Sequence, residues 1–314
     1  MASFYRRAFS MFIYSVFAAA AGGWAGDDPG MKPVPRMQVI PLPYDQVSYQ
    51  CDGRELTRYH YGASLKRPFM HPILGPAGRS LTRMGHPRDQ ESHKHHYSFW
   101  VSHNDVNGVS FWSDQGEGTI AHKRIVEFED GDDRCYTVTQ NDWLDGEQKA
   151  ILHETRRISV IMLKGEEWML VLDLAFTPAK EAVVLGDTPF GMTGVRMAKT
   201  IGVHDGGGMI RNSEGDVNEE EAFRKKARWV DYAGRITNEA VEGIALFDHP
   251  ANPNHPAPFH VRNDGWMGAC LTHQSPITIQ PGETLKLRYG LYIHRGLAPL
   301  EEIDATWRKF AEMK

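Results

Sequence analysis

The feature that most constrains this chain is a period of two. Across residues 285–293 every odd-numbered position is large and apolar (Leu285, Leu287, Tyr289, Leu291, Ile293). Such alternation belongs to a β-strand with one buried face, because successive side chains leave a pleated strand on opposite sides. Gln280-Pro281-Gly282-Glu283 precedes it as a turn signal. A hairpin reads directly from 157–163, a Lys164-Gly165-Glu166 turn and 168–176. Further strands are expected at 38–41, 47–51, 55–61, 99–103, 122–129, 135–142, 151–158 and 244–248. Only 299–313 has helical spacing, through Leu300, Ile303, Trp307 and Phe310. Many strands, regular turns and one terminal helix imply an all-β fold, a large antiparallel β-sandwich with a C-terminal helix. No βαβ alternation is present, and Gly206-Gly207-Gly208 lacks the form of a phosphate loop. The polar, then charged, stretch 204–227 reads as a surface excursion.

The first 25 residues read as a secretory signal peptide. Arg6 and Arg7 precede an apolar run over 8–21, and small residues lead to a cleavage point after Ala25. That run is too short to remain as a membrane span. The expected mature chain is one domain, 26–314, secreted or periplasmic, with no retained membrane segment. Net charge is −5, with no basic stripe, so a nucleic-acid partner is not expected. Export permits disulfides, but Cys51, Cys135 and Cys270 are an odd set, leaving room for one bridge at most.

Chemistry is expected first in Ser92-His93-Lys94-His95-His96-Tyr97-Ser98-Phe99-Trp100, with His103 and His122 close behind. Imidazole titrates near neutral pH and is the commonest metal ligand. If this stretch enters a strand, His93 and His95 point one way and His96 the other. The pair His93/His95 then serves either as acid/base groups or as two ligands of a divalent metal. A second constellation is the proline-rich loop after Asp248, with His249, Asn252 and Asn254, beside Asp231. His260, Arg262 and Asp264 alternate on one face, as a pocket wall or a solvated surface. The glycine-dense 186–196 leads to Arg196, suited to a carboxylate or a pair of sugar hydroxyls. His71 lies in an irregular apolar segment where packing is the competing role. Trp100, Trp112, Trp229 and Trp266 suit a core or a stacking platform for sugars. No GxSxG or HExxH motif occurs.

The segments RPFMHPILGPAGRSLTR, HKHHYSFWVSHNDVNGVSFW, LGDTPFGMTGVRMA, GIALFDHPANPNHPAPFHVRNDGW and LRYGLYIHRG, in this order, resemble a family of secreted bacterial proteins. That family is labelled the methane oxygenase PmoA family, or a domain of unknown function. Its histidine segment usually reads Asp-His-Pro-His-His-Arg-Gly-Leu-Trp. His93, His95, His96 and Trp100 match, whereas Ser92 stands at the Asp position and Lys94 at the Pro position. The resemblance implies secreted proteins of polysaccharide-degrading bacteria. The chain's terminal turn, strand and helix also look like the galactose-mutarotase type of sandwich.

Three functions follow as expectations. The first is an exported carbohydrate-active enzyme of hydrolase, lyase or epimerase type, acting on a sugar or oligosaccharide. His93, His95, His96, His249 and His260 would then be its acid/base candidates. Arg196, Arg262, Trp100, Asp231, Asn252 and Asn254 would hold the substrate. Glu154, Asp187, Asp231 and Asp248 are the candidate carboxylates. The second is a copper or iron oxygenase with His93 and His95 as ligands. The third is a non-catalytic glycan-binding module.

Overall fold

The structure, a computed structural model, describes residues 33–86 and 93–313. The signal peptide and Ser92 lie outside the described residues. From Pro35 onward the chain forms one compact unit. Its strands begin with β1 (Met37–Leu42), β2 (Gln46–Cys51), β3 (Arg54–His60), β4 (Phe69–Ile73) and β5 (Phe99–His103). Four longer strands follow: β6 (Thr119–Glu129), β7 (Arg134–Leu144), β8 (Ala150–Met162) and β9 (Trp168–Pro178). Next come β10 (Val183–Leu185), β11 (Gly191–Arg196), β12 (Met209–Asn212), β13 (Trp229–Arg235) and β14 (Val241–Asp248). The last are β15 (Phe259–Arg262), β16 (Trp266–Ala269), β17 (Ile277–Ile279) and β18 (Leu285–Arg295). The helices are α1 (Val203–Gly206), α2 (Asn218–Ala222) and α3 (Leu300–Ala311).

Two eight-stranded antiparallel sheets result. The first runs β1-β2-β3-β4-β5-β11-β16-β15, the second β12-β13-β14-β18-β9-β8-β7-β6, and β10 pairs with β17. One apolar core fills the space between the two large sheets, drawing on Val47, Phe99 and Met267 from one and Leu172, Leu246 and Leu291 from the other. β7 shows the strand pattern most clearly. Its odd positions Cys135 to Trp143 are buried and the even ones are less so. All three cysteines are free and buried, so the expected option of a bridge is not taken up. Among the described residues no helix is long and apolar enough to cross a membrane.

The alternation in β18 has a partner the sequence reading did not include. Leu287, Tyr289, Leu291 and Ile293 enter the main core, but Tyr292 is buried as well. It lies on the opposite face of the sheet, under α3, with Phe247, Ile303 and Phe310. Gly290 permits this contact, since a Cβ there would sit 3.0 Å from Phe310 Cε2. The helix carries Glu301 and Glu302 in its first turn and Arg308 and Lys309 in its last, matching its dipole. Trp307 Nε1 donates to Asp248 O at 3.0 Å and ties it to the end of β14. Phe310→Ala removes a fully buried ring from this seam. It is expected to cost about 3–5 kcal/mol, read as a lower urea midpoint with an unchanged slope; a shift worth under about 1 kcal/mol would contradict this packing role.

Candidate functional site

Two glycines prepare the site. Gly194 on β11 pairs with Trp100 on β5, and Gly268 on β16 pairs with His260 on β15. Trp266 pairs with Arg196 on one side and Arg262 on the other. A Cβ at Gly194 would lie 2.6 Å from Trp266 Cη2 and 2.8 Å from Trp100 Cζ2. A Cβ at Gly268 would lie 2.9 Å from Trp266 Cζ2. The missing side chains therefore let the Trp266 indole lie across the sheet. Trp266 packs 5.3 Å from Trp100 and 5.5 Å from Trp112 between ring centroids. With Phe69 these rings form an aromatic cluster separate from the main core, on the sheet face turned away from it.

The histidine segment covers this cluster. It does not enter the strand: β5 starts at Phe99, and Ser98 takes a left-handed φ of 56°. The expected parity, with His96 facing away from His93 and His95, is therefore lost, and all three line one cavity. His96 stacks on Trp266 (5.3 Å, 13°) and on Trp100 (5.5 Å, 24°). His95 stands edge-on to His96 at 4.5 Å. Beneath this turn Arg67, fully buried, pairs with Asp114 at 3.0 Å and donates to His95 O at 3.4 Å. The Tyr97 hydroxyl donates to the same Asp114 carboxylate.

The cavity measures about 470 Å³. Trp112, Trp266 and Phe190 give it aromatic surface, and His86, His260, Arg262, Asp264 and Asn104 complete the wall. His86 Nε2 is 2.7 Å from Asp264 Oδ2, and Arg196 Nη1 donates to Asp264 Oδ1 at 2.8 Å. Burial opposes the charge on Asp264, but Arg196 and His86 outweigh it and hold the carboxyl below its ordinary value. The expected surface excursion, 204–227, instead contributes α1, β12 and α2. Glu219 on α2 accepts from Asn263 N–H at 2.8 Å and pairs with Arg262 Nε at 2.8 Å, bracing the rim.

His95, His96 and His260 are held neutral. Burial, then the charges of Arg67 and other neighbours, pushes His95 down to about 4. Burial, Arg224 and Arg262 push His260 down to about 4 as well. Burial and Arg196 depress His96 further still. Burial lowers His86 too, while its bond to Asp264 pulls the other way.

The other expected site residues are employed elsewhere. Trp100 and Arg196 lie directly under the cavity, both buried, and do not line it. Asn252 Nδ2 donates to Asp248 Oδ1 and to Arg288 O, both at 2.8 Å. Asn254 Nδ2 donates to Leu271 O at 3.0 Å. These two asparagines shape the proline-rich loop and do not reach the cavity, and His249 packs edge-on to Phe310 at 5.2 Å. Asp231 is fully buried with His294 (2.8 Å) and Arg211. Glu154 accepts from Trp143 Nε1 at 2.7 Å and pairs with Arg156, inside the sandwich. Asp248 anchors its own loop through His255 at 2.8 Å, and Asp187 accepts from Gln274 N–H at 2.8 Å. Trp229 belongs to the α3 seam. His103 meets Thr272 at 2.8 Å and His122 meets Asn141 at 3.2 Å, neither in the cavity wall. His86 and Asn104 are functional candidates that sequence reasoning missed: Asp264, which His86 meets, is 178 residues away, and no local pattern marks either residue.

The described residues do not make a metal-ligand set. Among the described residues no three His, Cys, Asp or Glu side chains converge on a common point. Arg196 also places positive charge beside His95 and His96, where a cation would sit.

An all-β sandwich carrying an aromatic-floored, histidine-walled cavity on one sheet face is thus the class of protein defined here. The chain belongs to the family of unknown function DUF6807, whose profile matches residues 46–308. No curated protein matches it. Among solved structures it is similar to heparan sulfate lyase HepC from Pedobacter heparinus, with 9% identity and a TM-score of 0.43. That similarity covers 84% of this chain, which spans only 38% of the lyase. It is also similar to galactose 1-epimerase from Lactobacillus acidophilus NCFM, with 11% identity and a TM-score of 0.39, covering 82% of this chain and 100% of the epimerase.

The proton affinities give a direct check. Histidine NMR titration should show His95 and His260 neutral at pH 6 and protonating near pH 4. Both lie below their ordinary 6.5. Between those limits the unfolded chain binds protons that the folded chain refuses, so these groups make stability fall as pH drops. Ordinary titration near 6.5 would contradict the buried, positively charged setting.

Proposed function

We propose that this protein binds a sugar or oligosaccharide in the Trp266/Trp112 cavity and acts on it by proton transfer, as an epimerase or lyase does. The observation that carries the reading is the pairing of an indole floor with imidazoles held neutral directly above it. Flat indole faces stack on the apolar faces of pyranose rings, and neutral imidazole offers one donor and one acceptor. Among the described residues the wall holds one carboxylate, Asp264, already engaged by Arg196 and His86. A pair of carboxylates flanking a glycosidic bond, the usual requirement for hydrolysis, is therefore not what supports this reading.

In this scheme the floor orients the ring, and Arg262 and Asn104 hold substrate oxygens. His86 receives or returns the proton, with Asp264 orienting its ring and stabilising the imidazolium that forms. His95, His96 and His260 supply neutral hydrogen bonds around the reacting carbon. Export, expected from the N-terminal 25 residues, would place this chemistry outside the cytoplasm.

The test is product formation on a panel of oligosaccharides, together with Asp264→Asn. The substitution is expected to lower kcat by about 10²–10⁴-fold with KM changed far less. Saturable binding by the unmutated protein with no product under any condition would defeat the catalytic part of the reading and leave a binding module.

A further inference from the structure

Resting on the sugar reading, we propose that the ligand is an acidic sugar, whose carboxylate seats between the His95–His96 turn and Arg262. Among the described residues the carboxylate in the cavity wall, Asp264, is already engaged by Arg196 and His86, while Arg262 and Asn104 bring donors. A carboxylate brings acceptors only, which suits spare guanidinium N–H groups.

The charges agree. Arg67, Arg196, Arg224 and Arg262 all act on the cavity's imidazoles. Asp114, Asp264 and Glu219 neutralise three of them, pairing with Arg67, Arg196 and Arg262 respectively. Among the described residues Arg224 makes no ion pair; it lies over the Phe223 ring, which touches His260 at 5.0 Å. Among the described residues one positive charge is therefore left over beside the cavity. Arg196 is fully buried on the same sheet face, and among the described residues its Nε and Nη2 have no hydrogen-bond partner, nor does the buried Nδ1 of His96. An anion in the cavity would be stabilised by this field without touching Arg196.

Contact falls to Arg262. Its side chain is half exposed at the rim and spends its Nε on Glu219. The remaining N–H groups of a guanidinium can still meet a carboxylate in its preferred two-pronged geometry. This reverses the sequence-based expectation for Arg196, which becomes a source of field and not a ligand contact.

The experiment is calorimetry on the exported chain at low ionic strength, with D-glucuronate and D-galacturonate oligomers beside their neutral counterparts and a sulfated galactose oligomer. The acidic oligomers should bind at least tenfold more tightly than the neutral ones and weaken as salt is added. Arg262→Ala, at an exposed position where folding is not at stake, should bring the acidic-to-neutral ratio close to one. Equal affinity for neutral and acidic oligomers would overturn this proposal and leave the sugar reading standing. Tighter binding of the sulfated oligomer would overturn the carboxylate assignment. No binding of any of them would overturn both.

Discussion

The site rests on a close approach between an indole and a bare stretch of sheet. Trp266 lies flat only because Gly194 and Gly268 present no side chain beneath it; a methyl group at Gly194 would meet the ring at 2.6 Å. Such sub-van der Waals contacts cannot be absorbed in a packed cluster without displacing its members. Everything above depends on that flat ring. His96 stacks on it, His95 stands against His96, and the Arg67–Asp114 pair holds the turn from below. Were the floor to tilt, the histidine wall would lose the surface that fixes its spacing.

The second constraint is electrostatic. A buried guanidinium is costly unless paired, and Arg67 and Arg196 each have one carboxylate. Asp264 serves two groups at once, Arg196 and His86, so it links the charge under the floor to an imidazole in the wall. His95, His96 and His260 give up their protons to burial and to the arginine field. His86, backed by Asp264, thus differs from His95, His96 and His260, which the same field keeps neutral.

The fold was legible where a strand keeps one face toward solvent, as β7 does along its length and β9 in its second half. β5 also stands where it was expected, although it is buried throughout. The reading of β18 stopped short, since alternation reports one buried face and says nothing of a helix covering the other. At the site the histidine cluster was visible but its geometry was not. One left-handed residue, Ser98, ends the period before His96. Asn252 and Asn254 looked like ligands because asparagine in a rigid loop carries polar groups; here those groups tie the loop to the backbone carbonyls of Arg288 and Leu271 on neighbouring segments. His86 was invisible because only folding brings it to Asp264. Gly194 and Gly268 were invisible for a similar reason: a strand glycine often marks a close approach, but not what approaches.

The central claim is that sugar occupies the face of the first sheet built on Trp266. The most direct measurement is an NMR titration of the tryptophan indole N–H signals with an oligosaccharide that binds. The account predicts that Trp266 and Trp112 shift saturably, together with the His95 and His96 rings, while Trp143 and Trp168 inside the sandwich stay fixed. Shifts confined to other tryptophans, or uniform across all of them, would place the sugar elsewhere and contradict the account.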